Sequence, residues 1–189
     1  MPPEIRAAMV KDFLALLSDG KVPSGPKILD AAEPGFAASV GQASRMDWLL
    51  AAPVVKLANA ARALIGADQW RAVHRAAAGD LVERPLFRAF SRGMRTVFGA
   101  TPASYCKIFP LVLNQAHRNY GPIEYAAISP TAARVRFAQC QPEGLSRGML
   151  DVFAGTLEGL VTPAACNVRV EVEYTPGASS AAVDVRWDR

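Results

Sequence analysis

The chain has 189 residues, enough for one domain and too short for two full ones. Hydrophobic residues make up 51% and charged residues 20%, which excludes a disordered or fibrous protein. The formal charge of +4 permits an acidic partner without requiring one.

Residues 4 to 18 carry apolar side chains at helical spacing (Ile5, Met9, Phe13, Leu16, Leu17) and stop at Asp19-Gly20, which predicts a first helix. Lys21 to Gly41 holds Pro23, Pro26 and Pro34 with no clear period and reads as a long connection or a weakly docked segment, expected to be the most mobile part of the chain. The expected division is an N-terminal helix with its Pro/Gly-rich connection over 1–43, and a single α+β ligand-binding-like domain over 44–189. From Ser44 to Gly66 the period is helical again, with Pro53 kinking or dividing the segment. A helix over 68–78 is expected to break at Gly79-Asp80. Arg84 to Gly99 is strongly amphipathic, with Phe87, Phe90, Met94 and Phe98 on one face and Arg84, Arg88, Arg92 and Arg95 on the other. Thr101-Pro102 then opens a helix to about Ala116 that Pro110 should bend.

At Asn119-Tyr120-Gly121-Pro122 the period changes from 3.6 to 2. Strands are expected over 123–128 and 133–138, a helix over 145–161 ended by Thr162-Pro163, and two alternating strands, Val168 to Tyr174 and Val183 to Trp187, around a Pro176-Gly177 turn. The fold class is therefore α+β, with the helical N-terminal two-thirds packed on one face of an antiparallel sheet of about four strands, in the order ββαββ toward the C-terminus.

Motifs with built-in chemistry are missing. The sequence has no GxSxG elbow, no GxGxxG or GxxxxGK[ST] loop, and no HxxE or HxxxH around His74 or His117, its two histidines. Cys106, Cys140 and Cys166 are widely spaced, as free thiols of a reducing cytoplasm would be. The apolar stretch Trp48 to Val55 is broken by Pro53 and is far short of the ~20 residues of a membrane span.

Two features invite a ligand. In the 145–161 helix, Gly148, Gly155 and Gly159 share one stripe with Val152, where backbone packing, a helix crossing between subunits, or room for a ligand would each explain them. A mostly apolar pocket is expected beside it, lined by Tyr105, Cys106, Phe109, Met149, Val152, Phe153, Gly155 and Leu157. Separately, seven arginines lie between positions 62 and 95, and Arg84, Arg88, Arg92 and Arg95 form a candidate face for an anionic partner, the alternative being a solvated helix face. No aromatic stacking motif accompanies them, which argues against nucleic acid.

The runs Asn119-Tyr120-Gly121-Pro122-Ile123-Glu124, Arg134-Val135-Arg136-Phe137, Phe153-Ala154-Gly155-Thr156-Leu157-Glu158-Gly159-Leu160 and Val168-Arg169-Val170-Glu171-Val172-Glu173, closing on Val185-Arg186-Trp187, resemble a myxobacterial paralogous family of small proteins with no assigned function. More distantly the chain is similar to the 4-vinyl-reductase, haem-NO-binding and TRAPP-subunit superfamily, most of all over residues 61 to 189. The resemblance implies helices on an antiparallel sheet, a small-molecule or lipid pocket between them, and dimerisation through helices. The Tyr-x-Ser-x-Arg haem-propionate signature and the paired C-terminal cysteines of metal-binding relatives are absent, so no cofactor and no metal are expected. The resulting expectation is a non-enzymatic cytoplasmic sensor or adaptor, binding a hydrophobic or anionic small molecule or a protein partner, as a homodimer. The alternatives are a haem-type gas or redox sensor using His74 or His117, and an enzyme acting on a small substrate in the same cavity.

Overall fold

The computed structural model describes residues 1–83, 99, 101–141, 143–165 and 167–188. The amphipathic helix expected over 84–99 lies, except for Gly99, outside the described residues, as do Cys166 and the expected arginine face of Arg84, Arg88, Arg92 and Arg95.

The N-terminus begins with a strand, β1 (Glu4–Arg6), before helix α1 (Ala7–Ser18). The helical spacing overshoots here because Ile5, which is buried, suits either conformation, and long-range pairing decides between them. β1 lies between β2 (Trp48–Leu50) and β3 (His117–Arg118), with Ile5 opposite both Leu49 and His117 in a three-stranded antiparallel sheet. Trp48 is clasped by two guanidiniums, 3.8 Å (Arg6) and 4.6 Å (Arg118) from its ring centroid, and Arg118 is ion-paired with Glu4.

The expected connection contains two short helices, α2 (Gly25–Leu29) and α3 (Phe36–Gln42), docked by Val22, Ile28 and Val40, all buried. Pro53 does not kink a helix but starts one. It occupies the first turn of α4 (Ala52–Ile65), where its missing N–H costs nothing, and Gly66 closes the helix at φ +84°. The next helix, α5 (Ala67–Glu83), continues through Gly79 instead of breaking there, since packing along its length outweighs one glycine.

Helix α6 (Pro102–Ala116) is capped by Thr101, whose Oγ1 accepts from the Ser104 N–H at 3.2 Å, and it accommodates Pro110 internally. Helix α7 (Arg147–Val161) is capped in the same way by Ser146 on the Met149 N–H and passes into a 3-10 turn, Thr162–Ala164. The strands β4 (Ile123–Ser129), β5 (Ala132–Phe137), β6 (Val168–Tyr174) and β7 (Ala181–Trp187) form the second sheet in the order β4-β5-β7-β6, antiparallel throughout. Val135, Phe137, Val183 and Val185 are buried on its inner face, while Arg136 and Arg186 are exposed on its outer one. The fold is α+β as expected, with the small N-terminal sheet added.

Layer by layer, the four-stranded sheet is covered by α6 and α7, and α7 is backed by α4 and α5. The glycine stripe explains the second contact. A Cβ on Gly148 would lie 2.6 Å from the Ala58 backbone, one on Gly155 would press into the Arg71 carbonyl, and one on Gly159 would meet Ala78 Cβ at 2.9 Å. These glycines let α4 and α5 approach α7 backbone to backbone, so the stripe serves packing within the chain.

Candidate functional site

Burying a polar group without a partner is unfavourable, so the buried polar side chains locate what the fold must explain. Ser104 and Ser146 belong to helix N-termini, and Ser104 Oγ also lies 2.8 Å from Thr101 Oγ1. Asp151, His74 and His117 remain, together with the buried Tyr120 hydroxyl, which has no hydrogen-bond partner among the described residues.

Asp151 is fully buried on α7 and is neutralised by arginines of the two backing helices: Arg62 donates to Oδ2 at 2.7 Å and Arg71 to Oδ1 at 2.7 Å. Arg147 adds a third guanidinium, its Nε 3.7 Å from Oδ1 and without a hydrogen bond of its own. Three cations thus converge on one carboxylate. Nearby, the Trp70 indole donates to the Gly148 carbonyl at 3.2 Å, binding α5 to the start of α7.

His117 sits at the end of α6, its Nδ1 2.9 Å from the Leu113 carbonyl. A carbonyl only accepts, so Nδ1 carries the proton and the Nε2 lone pair is left free. The ring packs edge-on to Tyr120 (4.8 Å) and Phe153 (5.6 Å), and burial pushes its pKa down to about 4. His74, on α5, is stacked on Phe13 of α1 at 6.0 Å and meets the Trp70 ring edge-on at 4.3 Å. Burial pushes it down to about 3, and its Nε2 has no hydrogen-bond partner. That atom is a buried donor or acceptor whose capacity nothing in the described chain uses.

Both imidazoles are therefore neutral in the fold and charged in the unfolded chain at mildly acid pH. Their depressed values make the unfolded state the better proton binder below about pH 6.5, so stability is complete above that pH and falls as pH drops toward 4 for His117 and 3 for His74. Each histidine is expected to contribute about 1.4 kcal/mol of loss per pH unit in that window. Urea titrations between pH 7 and 4 on the parent chain and His74→Phe check this: the variant should show the shallower slope.

The residues expected to line a pocket are distributed as follows. Cys106, Phe109, Met149, Phe153 and Leu157 are buried, and Tyr105 and Val152 are half-buried. Phe153 stacks on Phe137 at 5.4 Å and meets Phe109 edge-on at 6.4 Å, so aromatic rings occupy the centre of the group. Gly155 stands two residues from Phe153, about 200° around the helix, and faces α5. Burial pushes the Cys106 thiol up to about 12, holding it protonated at neutral pH and poorly suited as a ligand or nucleophile. Among the described residues no group of His, Cys, Asp and Glu is placed to hold a metal ion, and no helix is long and apolar enough to cross a membrane.

Sequence reasoning missed the Asp151 cluster. A signal existed: one carboxylate among Leu150, Phe153 and Ala154 on an apolar helix, with Arg147 four residues before it at ion-pair spacing.

No protein-family model matches the chain, and no curated protein is similar to it in sequence. Its fold, in contrast, is found among solved structures. An Fe(II) unliganded mutant of an H-NOX protein from K. algicida superposes with a TM-score of 0.65 at 10% identity, covering 98% of this chain and 97% of the other. An S. oneidensis H-NOX protein in the Fe(II)NO ligation state gives 0.58 at 10% identity, with coverage of 98% and 99%. A structure solved to probe haem distortion in the H-NOX family gives 0.57 at 14%, with 98% and 96%. Over its described residues the chain has the H-NOX fold, including the N-terminal helices over which the sequence resemblance was loose. The iron(II) named for the first two of these neighbours and the haem named for the third overturn the expectation of a protein without a cofactor.

Proposed function

We propose that the chain is a non-enzymatic sensor module of the H-NOX fold that holds a haem-type group through a buried imidazole, His74. The observation that carries this reading is the unpartnered Nε2 of His74, a neutral nitrogen kept from water among Phe13 and Trp70. Such a group would supply an iron centre able to take a small diatomic ligand, and the His74 imidazole would hold it. The chemistry of the donor set fits, because low pKa values keep both histidines unprotonated and able to donate a lone pair, whereas the Cys106 thiol stays protonated. Arg71, three residues from His74 on α5, belongs to the three-cation cluster on Asp151, whose surplus positive charge would suit the carboxylates of a porphyrin. His117, with Nδ1 bound to a carbonyl and Nε2 free, is the second candidate ligand.

The test is an optical spectrum of the purified protein after titration with haemin. A saturable Soret band at one equivalent is expected, lost in His74→Ala and retained in His117→Ala. A band lost only in His117→Ala transfers the role to that residue, and no saturable band in the parent chain sinks the reading.

A further inference from the structure

The outer face of the four-stranded sheet balances its charges in the middle and not at one end. In the middle, Arg134 makes a bidentate pair with Asp184 (2.6 and 2.7 Å) and reaches Glu173 at 3.1 Å. Two residues along, Arg186 of β7 stands directly opposite Arg169 of β6. Both are exposed, and neither has an ion-pair partner among the described residues. Directly opposed side chains on adjacent strands start ~5 Å apart at Cβ, where like charges oppose folding. An anion bound between the two guanidiniums would relieve this opposition.

The surroundings supply the rest of a site. An open groove of about 490 Å³ crosses the strand ends here, bordered by Ser129, Thr131, Asn167, Arg169, Arg186 and Asp188. The Ser129 hydroxyl accepts from the Thr131 N–H at 3.2 Å, which leaves its own O–H to donate outward. The Asp188 carboxylate, which accepts from the Asn167 amide at 2.6 Å, also borders the groove, so the groove's two guanidiniums outnumber the carboxylate there by one charge. Paired guanidinium forks with adjacent hydroxyls match the oxygen array of a tetrahedral dianion.

We infer that this groove binds a phosphoryl group, free or as a small phosphomonoester, on the face of the sheet opposite the helices. The experiment is thermal unfolding at constant ionic strength with chloride replaced stepwise by inorganic phosphate or by phenyl phosphate. The midpoint of the parent chain should rise saturably, and at lower concentration with the ester if the group is carried on an organic molecule. Arg169→Gln and Arg186→Gln should each abolish the rise while remaining at least as stable as the parent in chloride, because the like-charge opposition is relieved. A rise of equal size in parent and both variants, or no saturable rise in the parent, overturns the inference.

Discussion

Gly155→Leu is expected to destabilise the protein by about 3 kcal/mol or more, at the upper end of what overpacking a close contact does. A leucine Cβ at this position would collide with the Arg71 carbonyl and lie 3.1 Å from its Cα, and backbone cannot rotate away as a side-chain tip can. Relief requires α5 to move off α7, which also strains the Trp70 bond to Gly148 and the Arg71 bond to Asp151. Gly155→Ala should already show most of the effect, since the first carbon makes the clash. Urea unfolding of both variants measures it, and an alanine variant as stable as the parent would contradict backbone-to-backbone packing of these helices.

Asp151→Ala is the second large effect, expected to lower stability by about 3 kcal/mol, the lower end for breaking a buried ion pair because Arg62 and Arg71 retain partial access to water (37% and 20% exposed). Removing the carboxylate leaves three guanidiniums converging without a counter-charge. Asp151→Asn keeps one acceptor oxygen and should lose about half as much. The arginine that remains helpful should differ as well: Arg62→Met in the Asp151→Ala background is expected to recover stability by reducing the repulsion, a sign reversal relative to the same change in the parent chain. Denaturation midpoints of the four chains form the cycle that reads this coupling.

The C-terminal part of the fold was legible because its pattern is local. Val168 to Tyr174 and Val183 to Trp187 alternate cleanly, and the observed strands contain those ranges. Thr101-Pro102 states its cap chemistry within four residues, and the observed helix starts there. The N-terminal sheet was not legible, since β1, β2 and β3 have three, three and two residues and exist only because chain segments far apart in sequence pair around Ile5. Pro53 was misread for a related reason: the apolar run before it looks like helix until Trp48–Leu50 is claimed by that sheet, after which the proline falls in a first turn. In the candidate site, His74 and His117 were noted from the sequence, but their burial, the unmatched Nε2 and the aromatic partner Phe13 come from helices brought together by the fold. Asp151 illustrates the limit most plainly: Arg147 stands at i−4 on the same helix, but the two arginines that hydrogen-bond the carboxylate sit 89 and 80 positions away, and no spacing rule connects those.

The most direct test of the central claim, that His74 supplies the donor atom, is rescue by free imidazole. His74→Gly removes the ring and leaves a space of its shape, so adding imidazole to this variant with haemin should restore the Soret band of the parent chain, while His117→Gly should show the band without any addition. A His74→Gly protein that binds haemin with the parental spectrum in the absence of imidazole would contradict the account.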